Sequence, residues 1–279
     1  GGTVPWIMVV SDESHLKELL TYLHQKQHKY VLLGGGSNVI FTGNSPSLMV
    51  VINRTPGIFK EQDHLLRVGS GVFISELMGW CISNNAGGME FLAGIPGTLG
   101  GAAAVNAGAF GQSISSILEK AKIITPTNEI KTVDHDYFDF SYRDSRFKHN
   151  NEIILELFLK FTDTPGDQVK EKINANTQYR KENHPCSIHG SAGCFFKNPV
   201  INDKKMPAGR LIEQSGFKGT IYKTLQVSGA HANFIINRGD ASFADICELE
   251  ANIQKKVFID RGIRLEREVI YISPEGMKY

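Results

Sequence analysis

The stretch that decides the fold is residues 94–111, which read Gly94-Ile95-Pro96-Gly97-Thr98-Leu99-Gly100-Gly101-Ala102-Ala103-Ala104-Val105-Asn106-Ala107-Gly108-Ala109-Phe110-Gly111. Five of its first eight residues are glycine or proline, and small alanines follow. Glycine has no Cβ atom, so such a run lets the backbone approach a large planar or phosphorylated ligand closely. We therefore interpret residues 94–111 as a ligand-binding segment, with a purely structural glycine loop as the alternative.

A second glycine run, Gly34-Gly35-Gly36-Ser37-Asn38, directly follows the apolar stretch Tyr30–Leu33. Backbone N–H groups exposed after a strand can bind an anion, although a tight structural turn explains the run equally well. The dinucleotide pattern GxGxxG fails here, because Val39 replaces its third glycine and Asn53 stands where an acidic residue is required. The phosphate-loop pattern GxxxxGK[ST] occurs nowhere in the chain. Simple Rossmann and P-loop folds are therefore excluded.

The composition is that of an ordinary globular protein of 279 residues, with 30 Lys+Arg against 29 Asp+Glu. This balance argues against a nucleic-acid binder or a polybasic membrane-surface protein. No apolar run approaches the roughly 18 residues of a membrane span, and the N-terminus lacks the features of a signal peptide. The four cysteines lie far apart without a CxxC pair, which suits neither a disulfide framework nor a zinc site. We expect a cytoplasmic protein without a bound metal.

Apolar periodicity and turn residues predict a multi-lobed α/β or α+β protein. Thr164-Pro165-Gly166 is a plausible hinge, so we expect an N-terminal domain over 1–165, with lobes of about 1–56 and 57–165, and a C-terminal domain over 166–279. The predicted helices are Ser11–His24, Ile74–Asn84, Gln168–Glu182, Ala208–Ser215 and Ala241–Val257. The predicted strands are Tyr30–Leu33, Leu48–Ile52, Leu65–Gly71, Lys120–Thr125, Glu152–Phe161 and Gly262–Ile272.

Three further segments have ordinary interpretations when each is considered alone. Tyr142-Arg143-Asp144-Ser145-Arg146 is typical of a surface ion-pair segment. Cys194 follows a turn of small residues, and a lone cysteine is most often an inert, small hydrophobic residue. Alternation in Leu265–Val269 puts Glu266 and Glu268 on one strand face, which would normally be solvated.

The ordered set of segments nevertheless resembles one family, the UDP-N-acetylenolpyruvoylglucosamine reductases (MurB), in the compact form that lacks an extra substrate-covering insertion. Each match is weak alone, but together they cover nearly the whole chain in the family's order. The matching segments are Gly34–Asn38, Gly94–Gly111, Tyr142–Phe147, Gly193–Pro199, Ala208–Gly219, His231–Phe234 and Leu265–Val269.

The resemblance implies an α+β fold: a two-lobed FAD-binding domain of the vanillyl-alcohol-oxidase (PCMH) type, followed by an α+β substrate-binding domain. It implies non-covalent FAD, because the glycine runs contain no histidine to which FAD could be attached. The residues that the resemblance assigns to FAD are Gly34, Gly35, Gly36, Ser37, Asn38, Gly94, Ile95, Pro96, Gly97, Gly100, Gly101, Asn106, Gly108, Ala109, Gly111, His231 and Asn233.

The same resemblance implies a reaction in which NADPH reduces FAD, and the reduced FAD then reduces the enolpyruvyl group of a nucleotide sugar. Arg143 and Glu268 match the residues that stabilise the enol-type intermediate, and a buried Glu268 should have a raised pKa. Cys194 stands where the family commonly has a serine proton donor. Tyr142, Lys197 and Asn198 match substrate-binding positions. We expect a monomer with a small-molecule substrate, without nucleic-acid binding or membrane insertion.

This chain departs from the family pattern elsewhere too. It reads Asn183-His184-Pro185 where many members have Lys-Gln-Pro, which puts the matching phosphate contact in doubt. Two alternative functions stay open. One is an FAD-dependent oxidase or dehydrogenase of the same fold that acts on another sugar or alcohol. The other is a nucleotide-sugar-binding protein without catalysis, against which the retained Arg143, Cys194 and Glu268 argue.

Overall fold

The computed structural model describes residues 2–62, 64–185, 190–201 and 204–279, so Cys186 lies outside the described residues. The chain divides into two compact units. The glycine-loop unit comprises Trp6–Gly36 and Met49–Tyr179. The C-terminal unit comprises Gly1–Pro5, Ser37–Leu48 and Arg180–Tyr279. Within the described ranges, every helix is too short or too polar to cross a bilayer.

The secondary structure is mixed, as the sequence predicted. The helices are α1 Glu13–Gln25, α2 Ile74–Ser83, α3 Leu99–Ala104, α4 Arg146–His149, α5 Gly166–Asn183, α6 Ala208–Gln214 and α7 Phe243–Arg261. The strands are β1 Trp6–Val10, β2 Tyr30–Leu33, β3 Val39–Phe41, β4 Met49–Asn53, β5 Ile58–Lys60, β6 Leu65–Gly69, β7 Ala86–Gly87, β8 Gly108–Ala109, β9 Gln112–Ser113, β10 Leu118–Ile124, β11 Ile130–Asp134, β12 Ile153–Lys160, β13 Thr162–Asp163, β14 Val200–Ile201, β15 Lys204–Lys205, β16 Ile221–Tyr222, β17 Leu225–Val227, β18 Ile235–Asn237 and β19 Ile270–Ile272.

The glycine-loop unit contains two main sheets. A parallel sheet has the order β1-β4-β2, and an antiparallel sheet has the order β11-β10-β12-β6-β5. Helix α1 buries Leu16, Leu20 and Leu23 in a core that also contains Val51 of β4. This spacing is one face of a helix, which is why the pattern predicted α1 correctly. Its N-cap is Asp12, so the helix begins two residues after the predicted start at Ser11.

The C-terminal unit is built around helix α7. Ser242 and Asp245 form a capping box at its start, and Gly262 ends it with a φ of +68°. The apolar face of α7 packs in the core of this unit with the fully buried Tyr271 of β19. Strand β19 pairs in parallel with β3, which lies about 230 residues earlier in the chain.

The predicted closing strand is shorter than the sequence indicated. The pattern predicted a strand over Gly262–Ile272, and only Ile270–Ile272 is one. Residues 265–269 instead pair through an isolated bridge between Arg267 and Phe196. The loop that follows Gly193 keeps this segment extended, so the segment does not need to pair along a regular strand.

The two compact units and the predicted domain ranges differ at two places. Residues 37–48 belong to the C-terminal unit because β3 pairs with β19, and most of α5 belongs to the glycine-loop unit. The domain ranges 1–165 and 166–279 stay a prediction, because compact packing units and domains need not share their boundaries.

Tyr271→Phe is expected to lower the free energy of unfolding by about 1.5–3 kcal/mol, as loss of a hydrogen bond to a charged group does. The Tyr271 hydroxyl donates to Oε2 of the buried Glu250 at 2.6 Å, and Arg267 stacks 3.6 Å from the tyrosine ring centroid. Burial, followed by this hydrogen bond, raises the pKa of Tyr271. Urea unfolding of the whole protein, followed by far-UV circular dichroism, measures the change.

The matched control is Tyr222→Phe, whose hydroxyl donates to Glu248 at the protein surface. Exposed polar contacts of this kind contribute less than about 1 kcal/mol. Equal losses for Tyr271→Phe and Tyr222→Phe would show that burial does not strengthen the Tyr271 bond.

Candidate functional site

The two glycine runs lie in backbone contact within the glycine-loop unit. A Cβ atom on Gly35 would lie 2.6 Å from the Cα atom of Gly97, and one on Gly34 would lie 2.1 Å from Oγ1 of Thr98. Gly36 and Gly97 also have φ angles of +65° and +113°, in the region that favours glycine. These positions therefore admit no side chain, and the fold uses the glycines to bring Gly34–Gly36 against Gly97–Gly101.

A hydroxyl group is buried where these runs meet. Thr98 is 1% exposed, and its Oγ1 forms no hydrogen bond with any described part of the chain. A buried hydroxyl without a partner costs free energy unless a ligand or water satisfies it. Bare backbone and an unsatisfied donor together form a cradle suited to a phosphate or a flat polar group. The sequence analysis did not select Thr98, although it is the one hydroxyl in the run 94–111.

The glycine-rich segment 94–111 ends in a tight hairpin. Strands β8 and β9 flank Phe110 and Gly111, whose φ angles of +51° and +80° are those of a type I′ turn. A Cβ atom on Gly108 would lie 2.3 Å from the carbonyl oxygen of Gln112. Gly108 and Gly111 thus have a structural reason to be glycine, and their predicted contact with FAD stays a prediction.

Arg143 lies in a turn that is fastened to the glycine-rich segment. Asn106 Nδ2 donates to the Ser141 carbonyl at 2.8 Å, and Ser145 Oγ donates to the Ala104 carbonyl at 2.7 Å. Arg143 itself has a φ of +57°, which is strained for a residue with a side chain. Its guanidinium lies 5.7 Å from the Tyr142 ring centroid. Backbone strain of this kind often marks a functional position. Here the turn fixes the backbone of Arg143, from which the side chain extends.

Cys194 lies in a short ladder of three chain segments in the C-terminal unit. Its backbone forms an antiparallel bridge with Phe234. On the other side, the Glu268 N–H donates to the Phe195 carbonyl at 2.8 Å, and the Lys197 N–H donates to the Glu266 carbonyl at 2.8 Å. The ladder therefore brings the backbones of Cys194 and Glu268 together, although 74 positions separate them in the sequence.

Asn38 also belongs to this group. Its Nδ2 donates to the Glu268 carbonyl at 3.3 Å, and its own carbonyl accepts from the Ile270 N–H at 3.0 Å. A residue predicted to bind FAD thus holds the backbone of a residue predicted to be catalytic. Ser37 lies in the C-terminal unit with Asn38, while Gly34–Gly36 lie in the glycine-loop unit.

Several other predicted ligand-binding residues tie the backbone together. The Asn233 amide exchanges two hydrogen bonds with the backbone of Phe196, at 2.8 and 2.9 Å, and is buried. Asn198 Oδ1 accepts from the Ala208 N–H at 2.8 Å and so fastens the start of α6. Lys197 pairs with Glu266 at 3.1 Å. The binding of ligands by Lys197, Asn198 and Asn233 therefore stays a prediction.

His231 packs in an aromatic cluster beside the Cys194 ladder. Its ring lies 5.2 Å from the rings of both His184 and Phe234. Burial lowers the pKa of His184 to about 4 and also lowers the pKa of His231. Burial likewise raises the pKa of Cys81 to about 12, so this cysteine of α2 is an inert core residue.

The predicted catalytic residues are divided between the two compact units. Arg143 lies in the glycine-loop unit, and Cys194 and Glu268 lie in the C-terminal unit. Gly94, Ile95, Pro96, Gly100 and Ala109 lie with Arg143 in the glycine-loop unit. Gly100 is packed so closely on Ser70 that a Cβ atom would lie 2.7 Å from the serine Cβ atom.

Comparison with known proteins identifies the family. Residues 5–134 match a family model described as an FAD binding domain, and residues 184–272 match the C-terminal domain of UDP-N-acetylenolpyruvoylglucosamine reductase. The reductase of Syntrophobacter fumaroxidans is 36% identical, over 99% of this chain and 80% of that protein. The chain belongs to the UDP-N-acetylenolpyruvoylglucosamine reductase family. The reductase of Bacillus pumilus is 32% identical, over 99% of this chain and 90% of that protein.

A solved structure supports the same conclusion for the fold. The crystal structure of UDP-N-acetylenolpyruvylglucosamine reductase from Thermus caldophilus has a TM-score of 0.77 and 26% sequence identity. The match covers 95% of this chain and 91% of that one. The predicted family and the predicted α+β fold class with an FAD-binding domain are confirmed, and this UDP-N-acetylenolpyruvoylglucosamine reductase family member is an FAD-dependent oxidoreductase.

The cradle at the glycine runs fits FAD. The close backbone approach of Gly35 and Gly97 and the unsatisfied Thr98 hydroxyl suit a pyrophosphate, which binds through N–H and O–H donors. Both runs lie inside the range 5–134 that matches the FAD-binding family model. In this family member, the cofactor would be held by Gly34–Gly36 and by Gly97–Gly101, a range that includes Thr98.

Gly35→Ala is expected to weaken FAD binding about 10- to 100-fold, because an added methyl group forces the two glycine runs apart. Overpacking of this kind costs about 1–3 kcal/mol, and each 1.4 kcal/mol is tenfold in affinity. Release of flavin on dilution, followed by its fluorescence, measures the affinity. The matched control is Gly79→Ala, since a Cβ atom on this α2 glycine meets nothing within 4 Å. An unchanged flavin affinity in Gly35→Ala would refute the cradle.

Proposed function

We propose that this protein uses NADPH to reduce UDP-N-acetylglucosamine enolpyruvate to UDP-N-acetylmuramate, a step of peptidoglycan synthesis. FAD held at Gly34–Gly36 and Gly97–Gly101 would supply the hydride transfer between NADPH and C3 of the enolpyruvyl group. The chain contributes binding, orientation and charge stabilisation. Membership of the family and the FAD-binding domain support the proposal.

Arg143 is the residue that we assign to the substrate carboxylate. A hydride added at C3 leaves negative charge on C2 and its carboxylate, and a guanidinium can bind that unit through two parallel N–H donors. The turn that holds Arg143 is fixed by Asn106 and Ser145, so the base of the side chain is preorganised. Tyr142, which lies under the guanidinium, would contact the same substrate.

Cys194 is the residue that we assign to protonation of C2. A thiol has an ordinary pKa of about 8.5 and can act as a general acid near neutral pH while it stays protonated. Glu268, whose backbone is held next to the Cys194 loop, would stabilise the enol-type intermediate with Arg143. Lys197 and Asn198 follow Cys194 on the same loop and would bind the nucleotide-sugar substrate.

The observation that carries this proposal is the ladder that joins the Cys194 loop, Phe234 and the Glu268 segment. It holds side by side the backbones of the two residues that we assign as proton donor and stabilising carboxyl group, which supports the proposed reaction over a non-catalytic binding protein or an oxidase.

The decisive experiment follows flavin absorbance in the purified protein without oxygen. The protein should be yellow, with bands near about 370 and 450 nm, and acid precipitation should release the colour because FAD is not covalently bound. NADPH should bleach the band near about 450 nm, and UDP-N-acetylglucosamine enolpyruvate should restore it with formation of UDP-N-acetylmuramate. Bleaching by an alcohol or a sugar, with no recovery on addition of the enolpyruvate, would instead indicate an oxidase or dehydrogenase of the same fold.

A further inference from the structure

Two histidine rings pack on one phenylalanine directly opposite Cys194. The ring centroids of His184 and Phe234 are 5.1 Å apart, and those of His231 and Phe234 are 5.2 Å apart. The two histidine rings meet edge to face at 5.2 Å. Residues opposite each other in an antiparallel bridge point to the same side, with Cβ atoms about 4.5–5.5 Å apart. The bridge between Cys194 and Phe234 therefore directs the thiol toward the face on which both histidines pack.

The surroundings of His231 fix its ring. The Asn233 N–H donates to Nδ1 at 3.2 Å, so Nδ1 is the acceptor and a neutral ring carries its proton on Nε2. A Cβ atom on Gly209 would lie 2.8 Å from Cε1 of His231, so α6 packs against the imidazole without a gap. The ring can neither turn nor gain a water on that side.

Burial of the two rings favours their neutral form. Burial is the largest cause that lowers the pKa of His184 to about 4, followed by His231 and Arg180. Burial is also the largest cause that lowers the pKa of His231, which Lys218 lowers further and Glu213 opposes. Below these pKa values the cluster would have to hold two positive charges in contact.

The neutrality of the pair matters because a charged histidine beside a cysteine has the opposite effect. An imidazolium stabilises the thiolate, which produces a nucleophile and removes the proton that an acid must donate. A cysteine with two nearby histidines would therefore be expected to titrate early. Packing of the two rings on each other and on Phe234 disfavours a charged imidazolium.

We propose that His184 and His231 are positioning residues, an uncharged pair on Phe234 that keeps Cys194 an undissociated thiol. The proposal rests on the assignment of Cys194 as the proton donor, and it explains how a thiol can replace a hydroxyl group there. His184 is the member of the pair that departs from the glutamine common at its position in the family.

Three of the cations around the cluster form ion pairs with carboxylates. Lys218 pairs with Glu213 at 2.9 Å, Lys197 with Glu266 at 3.1 Å, and Arg267 with Glu250 at 3.4 Å. The charged residues on the elements packed around the cluster are Arg180, Lys181, Glu182, Lys197, Arg210, Glu213, Lys218, Glu266, Arg267 and Glu268. These residues are six cations and four carboxylates, so a new cation at position 184 would add to an environment that already has a small excess of positive charge.

The test measures how fast iodoacetamide alkylates Cys194 in the FAD-loaded protein as the pH is varied, with peptide mass spectrometry to separate the cysteines. His184→Lys places a cation at the pair and should move the midpoint down by about one pH unit, so that alkylation near about pH 7 is about tenfold faster. His184→Gln stays neutral and should remain within about twofold of the parent protein. The matched control His28→Lys, at an exposed position between α1 and β2 in the glycine-loop unit, should change nothing.

A second measurement needs no variant. Carbon-13 signals of the histidine rings in the FAD-loaded protein should show that His184 stays neutral down to about pH 5 and that His231 titrates below the ordinary histidine value. Identical alkylation profiles in folded His184→Lys and His184→Gln, or protonation of either ring at or above about pH 6.5, would overturn the proposal. Failure of the acid assignment is seen separately, as full turnover in Cys194→Ala, because the thiol titration does not depend on turnover.

Discussion

Cys194→Ala is expected to slow turnover of UDP-N-acetylglucosamine enolpyruvate by about 10²–10⁴-fold, the usual effect of removing a positioned general acid. Reduction of the flavin by NADPH should persist, because this half-reaction precedes protonation of the substrate. The variant should fold, since the ladder holds position 194 through backbone contacts with Phe234 and through the neighbouring buried Phe195 and Phe196. Stopped-flow absorbance near about 450 nm separates the two half-reactions.

Two further variants make the result specific. Cys194→Ser should recover much of the activity, because a hydroxyl group can donate the same proton. Cys247→Ala is the matched control: Cys247 is a partly buried cysteine of α7 whose pKa burial raises, and its loss should leave both half-reactions unchanged. If Cys194→Ala turns over substrate at a rate near that of the parent protein, Cys194 packs in the ladder and another group supplies the proton.

Local sequence patterns predicted most of the secondary structure. Apolar residues that recur on one face placed α1 within two residues of its observed bounds, and alternation predicted β12 equally well. Both signals are local, because the residues that form one face of a helix or a strand lie close together in the sequence. The prediction of a closing strand over Gly262–Ile272 was wrong for most of its length. Arg267 and Glu268 are held by the distant Phe195 and Phe196, and alternation in the sequence cannot reveal that contact.

The pairing of β3 with β19 has no signal in the local sequence. Strand β3 is only three residues long and pairs in parallel with β19, so residues 37–48 pack with the C-terminal unit. A strand this short has little periodicity, and a parallel partner can lie anywhere later in the chain. The hinge-like segment Thr164-Pro165-Gly166 could therefore indicate only a single domain boundary.

The candidate site shows what residue type alone can predict. The glycine runs were recognisable because only close backbone approach needs so many glycines, and Gly35 does meet Gly97. Asn106 and Asn233 were assigned to FAD, whereas their amides hold the Ser141 turn and the Phe196 backbone. An asparagine that binds a ligand and one that fastens a loop look the same in a sequence. Whether either asparagine also meets FAD stays a prediction.

Arg143→Lys is expected to slow reduction of the enolpyruvyl group by about 10²–10³-fold, comparable to removing a preorganised donor from developing negative charge. Lysine keeps the positive charge but is a single ammonium group, so it loses the two parallel N–H donors that match a carboxylate. The turn itself should survive, because Asn106 and Ser145 hold it through backbone carbonyls.

Flavin reduction by NADPH separates this role from a structural one. It should be far less affected than enolpyruvyl reduction, because the charge that Arg143 stabilises develops only on the substrate. The matched control is Arg146→Lys, an arginine of α4 that stacks 4.4 Å from the Tyr137 ring centroid and has no assigned role in the reaction. Its two half-reactions should both stay near those of the parent protein. Equal loss of both half-reactions in Arg143→Lys would mean that Arg143 supports folding or FAD binding, because a group that acts on the substrate carboxylate alone cannot slow a step that precedes substrate reduction.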